Sequence, residues 1–247
     1  MKKYLLMAVS IVLVAALAIA GTVAYLTDTD EEINVMTIGN VQIDLIEQQR
    51  NEDGTALEDF EQNKLLMPIV GSAQGEKDSF GMPVAKNYVD KIVSVENTGA
   101  NDAYVRVIVA VPAALEESIT SAATNALHWN LGNKYIPEGE NAVPATQYSW
   151  KGVETVEIDG VDYNLYVFTY GGILAAGDTT TAAFVGFYLD SKVDFDGTNY
   201  TLGDTVINYD FSNGIKIPVY AQAVQASGFD TADEAFTASG LPTNPWA

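Results

Sequence analysis

The sequence predicts an all-β sandwich with short helical insertions. Three observations carry that prediction. Apolar and polar residues alternate with a period of two in several short runs. The runs are rich in Val, Ile, Tyr, Phe and Thr, and Gly, Asn and Asp clusters separate them. Only two short stretches have a helical composition.

In chain order, Val41, Ile43 and Leu45 alternate with Gln42 and Asp44, as in a half-buried strand. Ile92 to Glu96 is a short β-branched run that ends in the turn cluster Asn97-Thr98-Gly99. Tyr104 to Val111 is the strongest strand signal. Val105, Val107, Val109 and Val111 share one face, and Tyr104 and Arg106 begin the other. Val153 to Ile158 and Val161 to Tyr170 flank Asp159-Gly160, a pair suited to the positive φ angles of a two-residue hairpin turn. Tyr163, Tyr166, Phe168 and Tyr170 on the second arm read as core and cross-strand packing. Thr179 to Asp190 and Ile215 to Val224 complete the set. A helix is expected over Ala113–Ala126. A second is expected after Thr231, which forms a capping box with Glu234. Gln48 to Gly81 is polar, lacks periodicity and reads as a long exposed connection.

Composition excludes several functions. The chain has 247 residues, 12 Lys+Arg against 33 Asp+Glu, one His and no Cys. A net charge of −21 repels nucleic-acid phosphates. Without cysteine there is no disulfide framework, thiol nucleophile or thiolate metal site. No H-E-x-x-H, G-x-S-x-G or P-loop pattern occurs. His128 reads as a packed or hydrogen-bonded imidazole. Asp194, Asp196, Gly197 and Asn199 hint at a calcium loop, but the glycine and the closing glutamate of an EF-hand are out of place. No catalytic, cofactor-binding or metal-binding residue is assigned, and no enzymatic activity or cofactor is expected.

Lys2 and Lys3 precede a continuously apolar run, Leu5 to Ala20, broken only by Ser10. This is the pattern of a secretory signal peptide. The rival is an uncleaved anchor, since about 20 apolar residues span a bilayer. Small-residue spacing favours cleavage after Ala20, with Ala24 as second choice. Removing the leader discards two positive charges and leaves a body near −23.

Four segments resemble the TasA/camelysin (CalY) family. Gly21 to Asp28 (GTVAYLTD) followed by Asn34 to Leu45 (NVMTIGNVQIDL) is similar to the family's N-terminus. Val93 to Arg106 (VSVENTGANDAYVR), Leu174 to Thr181 (LAAGDTTT) and Tyr220 to Gln225 (YAQAVQ) resemble its strand pair, a turn and its closing strand. Gln48–Gly81 and Ala113–Gly152 match nothing in the family pattern. The resemblance implies a jelly-roll-like β-sandwich over residues 40–247, an extended segment over 25–39 and a signal peptide over 1–24. It places cleavage between Ala24 and Tyr25 by a SipW-like signal peptidase of a Gram-positive bacterium. It also implies a protein secreted to the extracellular matrix or cell surface, a structural subunit of biofilm-matrix fibres.

In that family reading the partner is a second copy, joined head to tail by donor-strand complementation, with an accessory anchor or assembly protein as a further partner. Membrane contact is through the signal peptide alone. The donor is Tyr25 to about Ile38, an acidic lead without an evident mate in its own chain; the alternative for this segment is that it folds back on its own domain or stays disordered. Leu26, Ile33, Val35, Met36 and Ile38 are its candidate anchors. Two alternatives stand beside it. One is a monomeric adhesin or binding module using the loops Gln48–Gly81 and Gly132–Gln147. The other is a camelysin-like metalloprotease, which one histidine and no zinc motif disfavour.

Overall fold

The computed structural model describes residues 24–26, 35–38, 40–62, 64–73, 75–79, 82–116, 124–130, 136–137 and 147–247. In chain order the strands are β1 (Ala24–Leu26), β2 (Val35–Ile38), β3 (Ile43–Arg50), β4 (Leu57–Asp59), β5 (Lys64–Leu66), β6 (Val89–Asn97), β7 (Ala103–Pro112) and β8 (Leu127–Asn130). There follow β9 (Ile136–Pro137), β10 (Tyr148–Ile158), β11 (Val161–Tyr170), β12 (Phe184–Leu189), β13 (Val193–Phe195), β14 (Tyr200–Leu202), β15 (Thr205–Val206) and β16 (Val219–Gln225). One α-helix, α1 (Ala232–Ser239), occurs among the described residues, and a 3-10 turn spans Phe211–Asn213.

The fold is all-β and sandwich-like. A six-stranded sheet runs β2-β16-β7-β11-β10-β9, and a five-stranded antiparallel sheet runs β4-β3-β6-β12-β8. In the larger sheet only the outermost pairings, β2 with β16 and β9 with β10, are parallel. The two sheets share one apolar cluster. Val105, Val107, Val109 and Val111 of β7 pack with Ile43 and Leu45 of β3, Val93 and Val95 of β6, and Phe184 and Phe187 of β12. Two facing sheets, each with an alternating apolar face, bury that face only against each other. Asp159 (φ 50°) and Gly160 (φ 81°) turn the β10–β11 hairpin as the sequence predicts.

The outer face of β7 is covered as well, so all ten of its residues are buried. The C-terminal segment forms this third layer. Phe236 and Ala235 of α1 pack on Tyr104, and Trp246 packs on Ile108, Val167 and Tyr220. Arg106 holds the layer down. Its Nε donates to Gln222 Oε1 at 2.7 Å, its Nη2 donates to the Leu241 carbonyl at 3.1 Å, and its guanidinium lies 4.3 Å from the Phe236 ring centre. The predicted cap is present: Thr231 Oγ1 accepts from the Glu234 amide at 3.2 Å.

Two sequence expectations are corrected. The helix expected over Ala113–Ala126 is absent from its described parts. Residues 113–115 form a turn and 124–126 lead into β8, while 117–123 lie outside the described residues. Pro112 ends β7, and the Leu115 carbonyl accepts from the amides of Ala126 and Leu127, which closes the loop at its base. The connection Gln48–Gly81 is likewise not plain loop. It completes β3 and contains β4 and β5. Arg50 anchors it by donating to both Asp90 carboxylate oxygens at 2.7 and 2.6 Å and to Asp78 at 2.8 Å. Those carboxylates raise the guanidinium's pKa further.

Gly186 sits where β12 crosses Tyr88. A methyl group there would press on the Val89 carbonyl and lie 2.6 Å from Tyr88 Oη. Gly186→Ala is expected to lower stability by about 2–3 kcal/mol, read as a reduced urea midpoint at unchanged slope.

Candidate functional site

The N-terminal strands lie on two different sheets. Val35, Met36 and Ile38, three of the expected donor anchors, belong to β2. That strand pairs with β16 in parallel register, Val35 with Ala221 through Ile38 with Val224. Leu26 belongs to β1, which pairs antiparallel with β5, Leu26 opposite Lys64. Ile33 lies outside the described residues. The segment that lacks an evident mate in sequence therefore has two within its own chain. Ala24 and Tyr25, the expected cleavage pair, stand opposite Leu66 and Leu65 in the β1–β5 ladder.

β2 is only four residues long and is an outermost strand of its sheet. The antiparallel β16–β7 pairing behind it covers seven residues, Val219 to Gln225. Val219 and Tyr220 run past the β2 register. Beside them opens a groove of about 1350 Å³ between β3, the β10–β11 turn and the segment leading into β16. Five carboxylates line it, from Glu47, Asp59, Asp159, Asp162 and Asp210, against one ammonium, Lys216. Glu47 is held from behind by Lys91, which is 1% exposed. Its Nζ donates to Glu47 at 2.8 Å and lies 4.6 Å from the Phe60 ring centre. Apart from that pair, the groove offers its acids to solvent.

His128 lies on β8. Its ring stacks on Tyr188 with centroids 5.0 Å apart, and its Nε2 is 3.1 Å from Asp190 Oδ2. Asp196 ties its own turn, accepting from the amides of Thr198 and Asn199 at 2.8 and 2.7 Å, which lowers its pKa. Among the described residues no group of three or more acidic or imidazole side chains converges on a metal-sized site.

Sequence reasoning missed one titratable group. Glu116 is 1% exposed, and its Oε1 accepts from Trp129 Nε1 at 2.9 Å. Burial, only partly offset by hydrogen bonds from Trp129 and Tyr166, pushes its pKa up to about 7. Its sequence neighbourhood has a helical composition, in which an acid reads as solvated.

The chain matches no protein-family model, and no curated protein matches it.

Two outcomes are expected. The folded state holds the Glu116 proton to higher pH than the unfolded chain, whose glutamates titrate near ~4.3. That contribution is fully present below this value and is lost as pH rises through about 7. Stability is thus expected to fall by on the order of 3 kcal/mol across that window. Glu116→Gln should flatten the slope and stabilise the chain at pH 8, as urea titrations at several pH values would read. The second concerns processing. Proteases take substrates as extended strands, so a bond already in a ladder waits for local opening. Full-length chain folded beforehand is expected to resist a broad-specificity protease at Ala24–Leu26 longer than chain diluted from urea straight into the same protease, as fragment masses would read. Equal rates would contradict an ordered β1.

Proposed function

We propose that the chain is an exported structural subunit of extracellular fibres, of the kind its sequence resemblance implies, built by exchange of an N-terminal strand between copies. One observation carries the reading. The edge of the six-stranded sheet is completed by a four-residue strand from the N-terminal segment, laid parallel to β16. A ladder this short can be replaced by the same strand of another copy, because the backbone groups of β16 accept either equally. Exchange of that kind is head to tail and does not close, so it propagates into a filament.

The acidic character of the segment fits the same reading. Asp28, Asp30, Glu31 and Glu32 adjoin β2 in sequence, and the groove beside β16 carries further carboxylates. Like charges weaken the seating of the strand, and added salt or divalent cations screen them. Enzymatic turnover and a resident cofactor form no part of this proposal.

The chain has no cysteine, so engineered thiols report directly on strand exchange. Thr37 and Ala223 are register partners. Two single variants, Thr37→Cys and Ala223→Cys, mixed under conditions that give filaments by electron microscopy, are expected to form a disulfide between chains. The double variant kept dilute should close within one chain. Filaments that form without the mixed crosslink, or that persist after deletion of residues 25–38, would refute the proposal.

A further inference from the structure

Among the described residues, exposed large apolar side chains concentrate in one excursion of the chain. Leu65 is 44% exposed, Met67 39%, and Val70 and Val84 59% each. Leu65 belongs to β5 and Met67 follows two residues later. Val70 bridges antiparallel to Lys86, which brings Val84, two residues before Lys86, back beside it. An extended chain advances at most about 3.5 Å per residue, so Val70 lies within about 14 Å of Leu66. Residues 61–87 are locally neutral, with three lysines against three acids in a chain of net charge −21, and Lys64 pairs with Glu61 at 2.6 Å. One of those acids, Asp78, is engaged by Arg50.

The chain itself indicates what lies against this surface. β5 pairs with β1, and β1 begins at Ala24, four residues after the apolar run Leu5–Ala20 ends. Four residues reach no more than about 14 Å. With that run inserted in a bilayer, the β1–β5 ribbon with its Leu65 is held at the lipid surface, and the chain leaving β5 carries Met67 and Val70 within reach of it. Aliphatic side chains at an interface partition into the acyl boundary, and lysines beside them favour anionic headgroups.

We infer that the excursion around Leu65, Met67, Val70 and Val84 is a lipid-contacting surface that rests on the bilayer while the N-terminal run is inserted. The inference rests on reading residues 1–24 as an export leader. It extends membrane contact from the leader to the folded body.

The test uses the full-length chain in vesicles of phosphatidylcholine and phosphatidylglycerol brominated on the acyl chains. Single cysteines are placed at Leu65, Met67, Val70 and Val84 and, as references, at the exposed Ile173 and Val206. Each is labelled with an environment-sensitive fluorophore. The expected result is a blue shift and bromolipid quenching at the four excursion positions and neither at the references. Chain that floats with the vesicles but shows no quenching at the four positions overturns the inference and leaves the leader intact. Chain that does not float overturns the leader reading and the inference together. Quenching by a second labelled copy in place of lipid assigns the surface to self-association and also overturns it.

Discussion

The architecture depends on β7 being a strand with no exposed residue. A strand presents alternate side chains to opposite sides, and both sides of Ala103–Pro112 are buried. The inward valines require a second sheet, which β3, β6 and β12 supply. The outward row of Tyr104, Arg106, Ile108 and Ala110 requires a separate cover, which residues 226–247 supply. Arg106 makes that cover specific. A guanidinium brought into an apolar face needs its donors satisfied, and Gln222 with the Leu241 and Pro242 carbonyls does this. The C-terminal layer is thereby fixed in register as well as in place.

The five-stranded sheet solves a related problem with charge. Its inward face at the β3 end is not apolar throughout, because Glu47, Gln49 and Lys91 intrude on it. Lys91 is tolerated because Glu47 and the Phe60 ring replace water around its ammonium. Further along, Arg50 gathers Asp78 and Asp90 and so ties the β5-to-β6 excursion to the sheet. Breaking either group of partners leaves a charge in poor solvent, a cost of about 3–5 kcal/mol where burial is complete. The excursion between β5 and β6 is thus held to the sandwich by ion pairs as well as by apolar packing.

Local signals made much of the sandwich legible in the sequence. The alternating valines of β7, the Asp159-Gly160 turn and the Thr231 cap each specify geometry through neighbours in the chain. Non-local features were not legible. Parallel pairing of β2 with β16 joins residues far apart in sequence and leaves no turn signature between them. Lys91 reads as a surface lysine because nothing near it in sequence announces Glu47 or Phe60. Glu116 stands in a stretch of good helix formers, and helix propensity lost to Pro112 and to the amides that close on Leu115. The candidate site was partly visible: its strand residues were named from the sequence, but their partners were not.

The third layer gives the molecule an internal optical record of its own construction. It has three tryptophans. Trp129 sits in the inner aromatic cluster, stacked on Phe187 with centroids 5.6 Å apart and edge-on to Phe168 and Phe184. Trp246 lies on the outer face of the six-stranded sheet, 6.0 Å from Tyr220. Trp150 occupies β10, 6.2 Å from Tyr166. Trp129 and Trp150 both pack into the inner cluster against Tyr166, whereas Trp246 belongs to the outer cover, so Trp246 emits according to closure of the cover and the other two according to closure of the sandwich. In single-tryptophan forms of the chain, the colour of the emitted light distinguishes loosening of the outer cover from separation of the two sheets.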